Sequence, residues 1–168
     1  MTTTERPTSL VHADLVESLR RHRYFLRHTV RGLADEQAAQ RTTVSELTLG
    51  GLIKHVTLME RQWVNFIRMG PRAMAMSEQD WAENFRMTGG DTLAGLLDAY
   101  QQIADDTDAY VATLDLDAAQ PLPEAPWFEP GARWSARRVL LHLIAETSQH
   151  AGHADILRET IDGAKTMG

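Results

Sequence analysis

One glutamate and two histidines in this sequence have the types and spacing of metal ligands. Glu146 and His150 are four residues apart in the run ETSQHAGH, so on a helix their side chains lie one above the other and can reach a common point. A third donor must come from another segment, and His55, in the run LGGLIKHVTLMERQW, is the best-placed candidate. A His-Glu-His set leaves a coordination position for water or substrate, which is typical of catalytic metal sites.

Two more histidines flank this pair in the sequence. His153 is either a replacement ligand or a supporting group that orients the site. His142 lies one turn before Glu146, and we expect it outside the ligand set. Two alternatives stay open at this point: His55 as a hydrogen-bonded core histidine, and Glu146 as the partner of an arginine.

The helix predicted around these residues has one mainly apolar face, which we call the seam, and ionisable residues interrupt it. At about 100° per residue, its apolar residues share one sector with three ionisable ones. The apolar members are Val139, Leu143, Leu157 and Ile161, and the ionisable members are Glu146, His150 and His153. Because an unpaired carboxylate is costly to bury, the centre of this seam must be neutralised, paired or coordinated.

Apolar residues at helical spacing predict four helices that position these groups. Their predicted limits are Ser9 to about Gly32, Leu49 to about Met69 with Thr48 as N-cap, Asp91 or Thr92 to Leu114, and Ser135 to Asp162 with Gly163 as the stop. The connection from Gly70 to Gly90 is expected to hold one helical turn. Residues 115–133 contain four prolines, which exclude regular structure and indicate a crossover loop. We therefore predict an all-α four-helix bundle, a single domain over residues 1–168 with 1–8 frayed.

Composition narrows the functional classes. The net charge of −6 argues against nucleic acid as a partner. The absence of cysteine means that any thiol chemistry must use an external thiol. No apolar run is long enough to span a membrane, and the N-terminus lacks a secretory signal, so we expect a cytoplasmic protein. The arginine-rich run over residues 20–31 favours a solvated helix face, with an anionic ligand or partner as the alternative.

Three segments carry a resemblance to a known family: LTLGGLIKHVTLMERQW, DTLAGLLDAY and HLIAETSQHAGHADILRETIDG. They resemble the DinB-like superfamily of metal-binding bundles, in its actinobacterial branch of unknown function, and more distantly the mycothiol-dependent maleylpyruvate isomerases. The resemblance implies an up-down-down-up bundle that forms homodimers. It also implies a metal ion, usually zinc, held by His55, Glu146 and His150.

In such relatives the metal activates a low-molecular-weight thiol, which attacks an electrophile. The resemblance therefore implies a zinc enzyme that uses a thiol such as mycothiol to transfer to, or isomerise, a small electrophilic substrate. Arg158 and Trp127 are candidates to line the thiol pocket. The alternatives are a metal hydrolase that activates water, and a non-catalytic metal-binding dimer related to stress.

Overall fold

The computed structural model describes residues 9–75, 77, 79 and 83–166, and helices dominate this part of the chain. Helices α1 to α5 span Leu10–Thr29, Asp35–Ala38, Leu49–Met69, Leu93–Val111 and Ala136–Asp162. A 3-10 turn at Pro71–Met74 follows α3, and strands β1 (Ala119–Pro121) and β2 (Arg133–Ser135) precede α5. The all-α prediction is confirmed, with α1, α3, α4 and α5 as the four long helices. The lead-in predicted for residues 1–8 lies outside the described residues.

Local sequence signals set the ends of the long helices. The side-chain oxygens of Thr48, Thr92 and Ser135 accept the N–H of the third residue of their helices, at 3.1, 3.1 and 3.2 Å. Each bond satisfies one of the free N–H groups at a helix start. Gly163 ends α5 in the left-handed region, with φ of 76°, where a residue without Cβ is favoured. These caps confirm the predicted starts of α3, α4 and α5 and the predicted end of α5.

Contacts between the long helices give their relative directions. The first set joins α1 to α4 and consists of Arg20 with Asp108 and Arg27 with Gln101. The second joins α3 to α5 and consists of His55 with His150 and Trp63 with His142. The third joins α3 to α4 and to the residues just before it, through Arg68 with Tyr110 and Lys54 with Asp91. Residue numbers rise on one helix and fall on the other in the first two sets, so those helices are antiparallel. In the third set both rise together. The result is the up-down-down-up order that the resemblance implied.

An apolar core fixes α3 against α5, the two helices that carry the candidate ligands. Leu52 and Val56 on α3, and Leu143 on α5, have no exposed surface. Burial of each such side chain stabilises the fold by roughly 2 kcal/mol. Within the described residues, no helix is both long and apolar enough to span a membrane.

Residues 115–133 correct one prediction from the sequence. The prolines were expected to exclude regular structure, yet β1 and β2 form an antiparallel pair in which Ala119 faces Ser135 and Pro121 faces Arg133. A two-stranded ribbon tolerates Pro121 because its missing N–H can face away from the partner strand. The third predicted helix is also shorter than expected, since α4 ends at Val111 instead of Leu114.

The arginine-rich run on α1 is only partly a solvated face. Arg23 is 3% exposed and its guanidinium forms two bonds with the carboxylate of Glu60 on α3, at 3.1 and 2.5 Å. A third bond, of 2.8 Å, reaches Asp108 on α4. The expectation of an exposed face was therefore wrong for Arg23, which joins three helices, whereas the side chain of Arg20 remains 65% exposed.

Candidate metal centre

The structure brings the three predicted ligands together. One possible ligand atom from each of His55, Glu146 and His150 lies within 4.8 Å of the other two. The His55 and His150 rings are 4.9 Å apart at an angle of 79°, and His150 Nε2 is 3.6 Å from Glu146 Oε2. The spacing of four residues on α5 supplies two of the groups, and the antiparallel packing of α3 supplies the third.

The chemistry of these side chains fits a divalent cation. His55 Nδ1 is buried and has no hydrogen-bond partner among the described residues, which is costly for a polar atom unless something binds it. Burial, assisted by the nearby His150 ring, lowers the pKa of His55 to about 4. Burial, assisted by His153, lowers the pKa of His150 to about 4 as well. Both rings are therefore neutral near pH 7 and offer a lone pair, as nitrogen ligands of zinc do.

His153 lies behind His150. Its Nδ1 atom is 3.4 Å from Nδ1 of His150, whereas Nε2 of His150 faces Glu146. The two nitrogens of His150 thus have separate neighbours, and the contact with His153 holds the orientation of the ring. This placement fits the supporting role that was one of the two sequence hypotheses for His153.

Phe85 is a residue of the site that sequence reasoning missed. Its ring stacks on His55 at a centroid distance of 3.8 Å and an angle of 19°. The backbone that carries it approaches α3 closely, because a Cβ on Gly51 would lie 2.0 Å from the Phe85 carbonyl oxygen. Gly51 therefore allows the contact that places Phe85 over the candidate ligand. The run LGGL shows a glycine pair but not which segment packs on it.

Substitution Gly51→Ala tests this close approach. The added methyl group must displace backbone, so we expect the free energy of unfolding to fall by about 2 kcal/mol, measured by urea denaturation of metal-free protein. Gly152→Ala is the matched control, since Gly152 is exposed on α5 and a Cβ added there would meet no atom within 4 Å. We expect that control to gain roughly 0.5 kcal/mol. Equal effects from both substitutions would contradict the assigned role of Gly51.

A cavity of about 690 Å³ opens beside the three candidate ligands. His55, Glu146 and His150 form one part of its lining, and aromatic side chains, Trp63 and Trp134 among them, form another. This volume holds a small organic molecule in addition to an ion. The arrangement can therefore place a ligand next to a metal ion in surroundings that are largely apolar.

The two residues predicted to line the thiol pocket lie in different places. Trp127 lines the cavity. Arg158 does not: its guanidinium donates to the carbonyl oxygens of Thr29 and Arg31 at 2.8 Å and to the carboxylate of Asp162 at 2.8 Å. Arg158 joins the end of α5 to the end of α1, away from the candidate metal centre.

His142 was expected outside the ligand set, and the structure places it on the cavity wall. Its ring packs edge-on against Trp63 at 4.9 Å and Trp134 at 5.2 Å. Burial lowers its pKa, with Arg138 acting in the same direction and Glu146 against it. His142 therefore contributes a neutral ring near pH 7.

The lowered pKa values predict how metal-free protein responds to acid. The unfolded chain protonates His55 and His150 near pH 6.5, whereas the folded chain does so near pH 4. Lowering the pH from 6.5 towards 4 therefore favours unfolding, by about 2 kcal/mol for each histidine. Urea denaturation in the presence of a chelator at pH 7 and pH 4.5 measures this loss. The double variant His55→Gln, His150→Gln should show a shallower pH dependence, and an unchanged one would contradict the assignment.

Comparison with known proteins identifies the family of this chain. The family profile described as Mycothiol-S-transferase matches residues 14–163, a range that includes all three candidate ligands. The match covers most of the chain, so the chain belongs to that family. Among curated proteins, none matches the chain significantly.

Proposed function

We propose that this member of the Mycothiol-S-transferase family uses a divalent metal ion, zinc in the first instance, to transfer mycothiol to a small electrophile. His55, Glu146 and His150 would hold the ion. The observation that carries this proposal is the convergence of the three ligand atoms within 4.8 Å at the wall of a cavity large enough for a small molecule. When bound, such a cation lowers the pKa of a coordinated thiol as it does that of bound water.

The protonation states and charges of the three candidate ligands suit the binding of a divalent cation. His55 and His150 are neutral near pH 7 because burial lowers the pKa of both, so no proton must leave them before they bind a cation. Glu146 is the single acidic residue of the set, and its side chain is 30% exposed towards the cavity. A divalent ion would bring two positive charges, and Glu146 contributes one negative charge. The loaded site would therefore keep a net positive charge, which attracts an anionic sulfur.

The thiol must come from outside the chain, because the sequence has no cysteine. The cavity lining beside the candidate ligands is largely aromatic and aliphatic, and this suits the weakly hydrated sulfur of a thiol better than an attacking water molecule. Trp127 lines the cavity and would contact the bound molecules, and our proposal gives Arg158 no part in binding them. The homodimer implied by the resemblance stays a prediction, which sedimentation equilibrium tests.

A thiol-transfer assay with metal control tests the proposal. Purified tag-free protein is analysed for metal, and its activity is followed as the adduct formed from mycothiol and a small electrophile. We expect one metal ion per chain, loss of activity on chelation and recovery on adding zinc. A fully folded protein that takes up no metal would refute the proposal. Turnover of an ester or amide without any thiol would identify a hydrolase instead.

A further inference from the structure

A group of aromatic rings lines the cavity next to the candidate metal centre. Trp63 on α3 and Trp134 in β2 stack at 4.9 Å and 16°. His142 stands at 74° to Trp63 and 65° to Trp134, and Phe128 stands at 74° to Trp134. We call Trp63, Trp127, Phe128, Trp134 and His142 the aromatic wall. Rings at these angles present both their edges and their faces to a further ring. Such a ring can then bind edge-to-face or offset-stacked, the two arrangements that aromatic pairs prefer.

Besides the candidate ligands and His142, the described lining of the cavity has three polar side chains, Gln62, Ser77 and Asn84, and all three are uncharged. Gln62, which also lines the cavity, donates to the carbonyl oxygen of Met74 at 3.3 Å. No lysine or arginine appears among the described residues that line the cavity. The guanidinium of Arg138 lies 4.1 Å from the Trp134 ring but is not part of the lining. The aromatic wall therefore suits an uncharged, apolar group better than an anionic or polyhydroxylated one, which would need many more hydrogen-bond partners than these rings offer.

Trp127 adds an independent observation. It lines the cavity and yet is 77% exposed, on the loop between β1 and β2. Its neighbour Phe128 meets it edge-on at 6.2 Å. A large aromatic side chain left in water beside an apolar cavity indicates a binding surface, because a ligand ring placed against it would bury the exposed area of both.

We propose that the aromatic wall binds the electrophile and selects uncharged, planar aromatic compounds. This inference rests on the proposed function for the reaction itself and deepens it by naming the substrate class. With an aryl halide, the thiol sulfur forms a bond to the ring carbon, and the carbon–halogen bond breaks. The halide leaves with the electron pair and the thiol proton passes to solvent, so no oxidant or reductant is needed.

Binding of an unreactive aromatic compound tests the wall without any catalysis. The probe is 1,3-dinitrobenzene, which lacks a leaving group, and calorimetric titration of the metal-loaded protein gives its dissociation constant. We expect Trp127→Ala to weaken binding about tenfold through the lost ring contact. Tyr24→Ala is the matched control, since Tyr24 is also exposed, at 59%, and does not line this cavity. We expect that control to bind as the unaltered protein does.

A kinetic measurement separates the wall from the proposed reaction. The ratio of kcat/KM for 1-chloro-2,4-dinitrobenzene to that for iodoacetamide, with the same thiol, should fall about tenfold in Trp127→Ala. Metal content and helical circular dichroism should stay unchanged, because Trp127 is exposed and is not a ligand.

The binding and kinetic measurements distinguish an error in the proposed function from an error in the role of the aromatic wall. If the proposed function is wrong, neither electrophile reacts, while dinitrobenzene still binds and supports the wall. If the wall is wrong, dinitrobenzene does not bind, or binds equally to Trp127→Ala, and the kcat/KM ratio is unchanged. Binding of inositol that is weakened by Trp127→Ala would also overturn the inference, because it would assign the wall to a polyhydroxylated ligand.

Discussion

Substitution Glu60→Ala should lower the free energy of unfolding by about 3 kcal/mol, one of the two largest effects expected in this protein. Glu60 has no exposed surface, and its carboxylate binds the guanidinium of Arg23, which is 3% exposed. Removing the carboxylate leaves a buried positive charge whose remaining acidic partner is Asp108, at 2.8 Å. The cost is the desolvation of Arg23 without its main partner. Urea denaturation at pH 7 measures it.

Arg20→Ala is the matched control for this prediction. Arg20 pairs with Asp108 at 2.6 Å, but its side chain is 65% exposed, so its loss should cost less than about 1 kcal/mol. A second variant removes both buried charges, with Glu60→Leu and Arg23→Met together. It should regain most of the stability lost in Glu60→Ala, since an apolar pair of similar volume needs no desolvated charge. A loss no greater in Glu60→Ala than in Arg20→Ala would contradict the buried pair.

The buried Arg23–Glu60 pair shows why part of the fold could not be predicted from the sequence. Arg23 stands in a run with four other arginines, and nothing local distinguishes it from its exposed neighbours such as Arg20. Its partner lies on another helix, 37 residues away. Helix spacing predicts which residues share a face, but the identity of the opposing residue depends on how two helices pack.

The candidate ligands could be predicted because their signal is local. Glu146 and His150 are four residues apart on one helix, and ionisable groups in an otherwise apolar seam need a partner. His55 was predicted as the best-placed donor on another helix and from the resemblance, and the antiparallel packing of α3 on α5 brings it to the other two. Strong helix caps such as Thr48 and Ser135 fixed the register of both helices.

Apart from Trp127, the part of the cavity wall that lies outside the helices could not be predicted, for a physical reason. Phe85, Phe128 and Trp134 lie outside the long helices, where no periodicity relates one position to the next. Their places depend on a β1–β2 pair in a segment whose prolines indicated irregular structure, and on the close approach of the chain to Gly51. The candidate ligands are thus positioned by helix spacing, and the proposed substrate-binding wall by tertiary contacts.

The second large effect is expected for His150→Ala, which should abolish stoichiometric metal binding and reduce thiol transfer to the rate of chelated protein. His150 supplies a buried neutral nitrogen between Glu146 and His153, and with it removed only two of the three ligand atoms remain. Because loss of a supporting residue alone costs 10- to 100-fold in metal affinity, loss of a ligand should cost more than about 100-fold.

A graded series of histidine variants distinguishes a metal centre from a general effect of losing an imidazole. His153→Ala should lower metal affinity by about 10-fold, since it removes only the group behind His150. His28→Ala should leave it unchanged, because His28 stacks on Tyr24 at the surface of α1. Competition with a chromogenic chelator measures all three affinities. Equal affinities across the series would contradict the assignment of His150 as a ligand, whereas losses that decrease in the order His150, His153, His28 would support a metal bound at His150.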